Sequence, residues 1–362
     1  MTKGQRAGSN TCTLAIARVA IVAVAVACAD GSGPTVPPPP SNVHLLSLVT
    51  FDGSGQAVHP DAAATPTIWG GSEAELFATP YPFGDAAKEN PSLYSRQSAL
   101  DWVVPSGVMN PIAQPSTGYL SDPDEVFDPE TRELWLYYRA VNAENEIFLI
   151  RGAAPTQWSS PTRVVHGANH TVVSPTVVRR GQGDWLMWAV NSGTAGCSGS
   201  STTVELRRSA DGINWSSPVT TDLSEDGLFA WHIDVQWIPA RGEFWAVYNV
   251  KVSGSCTTAA LHFAKSIDGL HWETLPGPVL SRGVIPAFED IVYRSSIFFD
   301  PVSDEITLWY SGARFENDRY TWRIATESLG LEAFLLRVAT PLPVGTGFAV
   351  TSAPPLTDAD AP

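Results

Sequence analysis

One unit of short strands and tight turns recurs five times along this chain, and a repeat limits the fold more than any single motif does. A clear copy runs Ser174-Pro-Thr-Val-Val, Asp184-Trp-Leu-Met-Trp-Ala-Val-Asn191 and Thr203-Val-Glu-Leu-Arg-Arg-Ser-Ala-Asp-Gly-Ile-Asn-Trp215. The next runs His232-Ile-Asp-Val-Gln-Trp, Glu243-Phe-Trp-Ala-Val-Tyr-Asn249 and Ala259 to Trp272. Others start at Asp122-Pro-Asp-Glu-Val-Phe and Tyr293-Arg-Ser-Ser-Ile-Phe-Phe, and a weaker first copy starts at His59-Pro-Asp. Runs rich in Val, Trp, Tyr and Phe between turn residues read as strands. Asp128-Pro-Glu-Thr, Arg180-Gly-Gln-Gly, Ala240-Arg-Gly and Asp300-Pro-Val-Ser fall at equivalent places, as turns between the first and second strands.

Repeats of about 55 to 60 residues, each a small antiparallel sheet, match propeller blades. The expected fold is all-β: one five-bladed β-propeller of four-stranded antiparallel blades, from about residue 42 to 345. His44 to Phe51 offers a strand that closes the ring, and Leu331 to Arg337 is the one stretch with a helical period. A propeller also accommodates a domain this large, because each blade packs chiefly on its neighbours.

The N-terminal segment is set aside from the fold. Lys3 and Arg6 precede a run from Leu14 to Ala27 that is apolar except for Arg18, and Cys28 follows Ala25-Val26-Ala27. Small residues before a cysteine resemble the lipobox of bacterial lipoproteins. Residues 1–27 are expected to be a signal peptide and Cys28 the lipidated residue. Residues 28–41, with Pro37 to Pro40, read as a Gly/Pro-rich tether. Residues 346–362 read as a disordered tail. The expected location is periplasmic or cell-surface, with membrane contact only through the lipid.

The formal net charge is -15, and no basic patch stands out, which argues against nucleic acid as a partner. Thirteen Trp in an acidic body suit neutral or cationic ligands, and aromatic faces stack well on sugar rings. An oligo- or polysaccharide is the expected partner, and the protein is expected to act as a monomer. Cys197 and Cys256 follow the second strands of consecutive repeats, which puts them in neighbouring loops and predicts a disulfide.

In a propeller, first-strand starts and second-strand ends share one face of the disc. The residues placed there include Asp61, Asp124, Asp234 and Glu289 as candidate catalytic carboxylates, each from a different blade. His59, Tyr81, Glu89, Asn90 and Arg139 are candidate substrate-binding residues, as are His232, Asp290, Tyr293 and Arg294. Crowded carboxylates keep one acid protonated near neutrality, as glycosidic cleavage requires. Asp122 reads as a turn cap just outside its strand. No zinc-type spacing and no Gly-x-Ser-x-Gly occur in the sequence. No cofactor is expected, with room for a structural calcium ion on the axis.

Ser-Ala-Asp-Gly-Ile-Asn-Trp and Ser-Ile-Asp-Gly-Leu-His-Trp resemble a shortened Asp-box of sialidases, a structural motif. Thr79-Pro-Tyr-Pro82, Glu89-Asn-Pro-Ser92, Trp102-Val-Val-Pro105, Asn110-Pro111 and Ser121-Asp-Pro-Asp124 resemble a bacterial and phage propeller group. The blade plan resembles five-bladed glycoside hydrolases of the arabinosidase/xylosidase and invertase types. That resemblance implies Asp61 as base or nucleophile, Asp124 as the tuning carboxylate and a third-blade Glu as acid. The third blade instead has Val173-Ser-Pro175 at its first strand, so Glu289 or Glu89 would stand in. Two readings follow: an exported glycosidase, or a non-catalytic glycan-binding propeller. Carboxylates about 5 to 10 Å apart across an open pocket favour the first.

Overall fold

The computed structural model describes residues 42–341 apart from 99, 143, 225, 226 and 253. The leader, Cys28, the tether and the tail lie outside the described residues. Five antiparallel sheets follow one another along the chain. Their innermost strands are Ala57–Ala64, Tyr119–Asp128, Val173–Gly181, Leu228–Ile238 and Ile291–Asp300. Each pairs with a second strand and that with a third, in chain order. Blade 5 takes its outer strand from the start of the described chain: His44–Leu45 pairs with Arg319–Gly330. That closure joins the two ends of the domain, and the helix Leu331–Ala339 follows directly.

Strand aromatics fill the space between blades. Trp188 and Trp245 on second strands and Trp322 on the third strand of blade 5 are each almost fully buried. The Asp-box-like turns serve this packing. The carbonyl of Gly212 accepts from Tyr137 Oη at 2.8 Å, and that of Gly269 accepts from Trp188 Nε1 at 2.8 Å. Gly152 likewise accepts from Trp69 Nε1 at 2.6 Å. At Gly212 and Gly269 a turn of one blade thus latches the second strand of the blade before it. Gly269 needs to be glycine: its φ is +78°, and a Cβ would lie 2.6 Å from Trp188 Cζ2.

Cys197 and Cys256 form a disulfide between the mouth-side loops of blades 3 and 4, with Cα atoms 4.7 Å apart.

Candidate functional site

Every innermost strand is interrupted by a β-bulge near its start. Register shifts fall between Val58 and Asp61, Ser121 and Asp124, Val173 and Thr176, Ala230 and Ile233, and Val292 and Ser295. A bulge re-aims side chains. Here it creates two stacked rings of side chains around the axis. His59, Asp122, Ser174, His232 and Arg294 form the mouth ring. Two residues later come Asp61, Asp124, Thr176, Asp234 and Ser296. His59, Asp122 and Ser174 have φ near +50° and each precedes a proline. Such backbone is rare for these residue types and is held by its surroundings.

The lower ring is a closed cycle of bonds between blades. Glu125 N donates to Asp61 Oδ2 at 2.6 Å, and Val177 N to Asp124 Oδ2 at 2.8 Å. Val235 N donates to Thr176 Oγ1 at 3.1 Å, and Ile297 N to Asp234 Oδ2 at 2.8 Å. Ala62 N donates to Ser296 Oγ at 3.3 Å and completes the circle. Each side chain therefore ties its blade to the next. Asp61, Asp124 and Asp234 offer oxygens within 4.8 Å of one another. Burial, and then the charge of the other ring carboxylates, raises Asp61 and Asp124 above the usual carboxylate range. Burial also raises Asp234.

The mouth ring centres on Asp122, which lies inside its strand and is fully buried, not a turn cap outside it. Arg139 Nε lies 3.1 Å from its Oδ2, and Ser174 N donates to the same oxygen at 3.2 Å. His232 Nδ1 at 3.2 Å, Arg294 Nη1 at 3.4 Å and His59 Nε2 at 3.5 Å surround its Oδ1. Burial alone would raise Asp122. Arg139 and then the two histidines outweigh it and hold the carboxyl well below its ordinary range. Burial lowers both imidazoles, His232 to about 4, so both are neutral near pH 7.

Supporting residues fix these rings. Thr79 Oγ1 and Glu89 Oε2 lie 3.1 and 3.2 Å from His59 Nδ1. His232 N donates to Asn249 Oδ1 at 2.6 Å. Tyr293 packs its ring on His232 with centroids 4.5 Å apart, and Trp231 Nε1 donates to its hydroxyl at 2.9 Å.

The other sequence-derived candidates divide. Tyr81 is fully buried against Trp322, and Asn90 is buried with Oδ1 unsatisfied. Asp290 is buried and accepts from Phe315 N at 2.7 Å. The Glu289 side chain is 58% exposed beside Arg314, at 3.3 Å, and is not among the groups that meet at the axis. The centre at Asp122 was readable by aligning His59-Pro-Asp61, Asp122-Pro-Asp124 and His232-Ile-Asp234, which puts Asp122 in register with the two histidines.

His59, Asp122 and His232 present ligand atoms within 4.8 Å of one another and could hold a metal ion. Their buried surroundings fit that role: His59 Nε2 and His232 Nδ1 both face Asp122 Oδ1, and His232 Nε2 lacks a hydrogen-bond partner. Two neutral imidazoles and a carboxylate suit a divalent transition ion, whereas the all-oxygen lower ring is the chemistry calcium takes. On the opposite face, a cavity of about 530 Å³ reaches the lower ring past Pro66, Pro129 and Pro239. It holds no histidine. The mouth is therefore the stronger candidate for chemistry.

No protein-family profile matches the chain. It is 29% identical over 329 residues to the A type blood N-acetyl-α-D-galactosamine deacetylase of Flavonifractor plautii. That alignment takes in 77% of this chain and 43% of the relative, so the chain spans under half of the relative's length. The crystal structure of an N-acetylgalactosamine deacetylase from F. plautii, in complex with blood group B trisaccharide, superposes with a TM-score of 0.71. Identity there is 25%, covering 78% of this chain and 92% of that one. A thermostable family-43 glycoside hydrolase gives 0.53 at 15% identity, over 74% of this chain and 88% of that one. The α-L-arabinanase of Penicillium chrysogenum gives 0.54 at 12%, over 82% and 99%. The chain is a five-bladed β-propeller. With the two hydrolases the likeness is one of fold.

Proposed function

We propose that this protein removes the N-acetyl group of an amino sugar within a glycan, at the mouth ring and with a bound divalent metal ion. The observation that carries this reading is the convergence of His59, Asp122 and His232 from three blades onto one point. The deacetylase relative supplies the substrate class. The glycosidase reading is weaker, because Asp61 and Asp124, the hydrolase-like carboxylates, are bonded to the backbone of the next blade.

His59, Asp122 and His232 would be the ligands. A divalent ion there supplies Lewis acidity toward an amide carbonyl and makes water more acidic. The protein's part is to hold that set rigid. Thr79 and Glu89 orient His59, Arg139 and Ser174 orient Asp122, and Asn249 orients the His232 backbone. The overall change is a hydrolysis. Water adds at the acetyl carbon, the C–N bond breaks, and acetate and a protonated amine leave. The leader reading also stands as a proposal: export, with a lipid anchor at Cys28, supported by the apolar run and the small residues before that cysteine.

The test is acetate release from an oligosaccharide ending in N-acetylgalactosamine, run beside aryl glycosides. Acetate should appear, vanish with EDTA and return with zinc, manganese or cobalt. Cleaved aryl glycosides with intact acetyl groups would restore the glycosidase reading. Binding without turnover would restore the glycan-binding one.

A further inference from the structure

At the rim of the mouth face, one aromatic side chain sits in a conformation that a bulky residue rarely adopts. Phe83 has φ 56° and ψ 24° and is 45% exposed. It lies just beyond the second strand of blade 1, whose last residue Pro80 pairs with Ala57 at the mouth end of the inner strand. The left-handed region is sterically costly for Phe, and an exposed ring returns little by burial. Arg319 places its guanidinium carbon 3.8 Å from the ring centroid. Arg319 opens the third strand of blade 5, opposite Glu316, at the tip of the hairpin that rises on the same face.

The pair is held in place from below. Gln56 is buried, and its Oε1 accepts from Phe83 N at 3.3 Å and from Trp322 N at 3.0 Å. One side-chain carbonyl thus ties the blade 1 tip to the blade 5 hairpin. Rings run without a break from there to the mouth ring: Trp322 to Tyr293 at 5.5 Å, and Tyr293 to His232 at 4.5 Å. A strained, exposed, clamped aromatic on the rim of a site is the pattern expected of a ligand contact.

We propose that Phe83 and Arg319 form a secondary sugar subsite, a platform for a residue of the glycan beyond the one held at the mouth ring. The open part of the Phe83 ring would pack on the C–H face of a pyranose, and the guanidinium would donate to its hydroxyls. This rests on the carbohydrate reading of the mouth and adds that the ligand is an oligosaccharide, not a free monosaccharide.

The test titrates wild type, Phe83→Gly and Arg319→Ala with A-type trisaccharide and with free N-acetylgalactosamine by calorimetry. Acetate release is recorded separately. Glycine is at ease at this φ, so Phe83→Gly should melt no lower than wild type while losing the ring. Trisaccharide Kd should rise about fivefold in each variant, the scale of one exposed contact, with the monosaccharide unchanged. Equal weakening of both ligands, an unchanged trisaccharide Kd, or a wild type that does not bind the trisaccharide would overturn the platform. A platform-dependent Kd in a protein that releases no acetate would leave the subsite standing and remove the deacetylase reading alone.

Discussion

Asp122 Oδ1 lies 3.2 Å from His232 Nδ1, with both side chains almost fully buried and two arginines within 3.4 Å of the same carboxylate. The aspartate is the single negative group in the mouth ring itself, facing Arg139 and Arg294. Asp124, two residues on, plays another part and receives the Val177 N–H of the next blade. The two positions look alike in sequence and are separated in the fold by the partners they meet.

That separation is testable. Asp122→Asn should abolish acetate release. It should also destabilise by about 3 to 5 kcal/mol, because it leaves Arg139 and Arg294 buried without a counter-charge. Asp124→Asn keeps an oxygen for Val177 N and removes a crowded charge, so it should hold its melting temperature and most of its activity. The hydrolase-like assignment expects the opposite, loss of turnover at Asp124. Turnover assays and thermal melts on both variants decide between them.

Glu75 is buried in the second strand of blade 1, and burial pushes its carboxyl up to about 7. A folded-state value above the unfolded one stabilises fully below the ordinary carboxylate range, and that contribution is lost as pH rises through about 7. Glu75→Gln should remove this pH dependence. Its melting temperature should exceed that of wild type at pH 8 by a few degrees and approach it at pH 5. Equal gaps at both pH values would show that Glu75 does not carry the effect.

The Cys197–Cys256 bridge closes a span of 59 residues between consecutive blades. Loop entropy for that length gives about 4 kcal/mol. A protein with both cysteines changed to serine should melt distinctly lower than the oxidised wild type. Wild type kept in a reducing agent strong enough to open the bridge should match the variant.

Gly269→Ala would put a methyl group into Trp188 and force a strained φ. A loss of roughly 2 to 3 kcal/mol is expected. Gly193→Ala, where φ is also positive but no atom lies within 4 Å, should lose less. Chemical denaturation of both separates the steric part from the backbone part.

The order of residues was enough to establish the blade count, the strand order and the Cys197–Cys256 pairing. Each follows from a local pattern repeated at a fixed period: alternating aromatic strands, Pro/Gly/Asp turns at equivalent offsets, and two cysteines at matching places. It also put His59, Asp61, Asp124, His232 and Asp234 near one axis, since all open inner strands. It left open which of two neighbouring polar positions per blade faces the mouth. The folded ring decides that through the bulge in each inner strand. The extra residue turns His59, Asp122 and His232 into the mouth and hands Asp61, Asp124 and Asp234 to the backbone of the adjacent blade. A one-residue bulge leaves no mark on hydrophobic periodicity, and the hydrogen bonds that fix it cross between blades more than 50 residues apart. Only the closed ring brings those partners together.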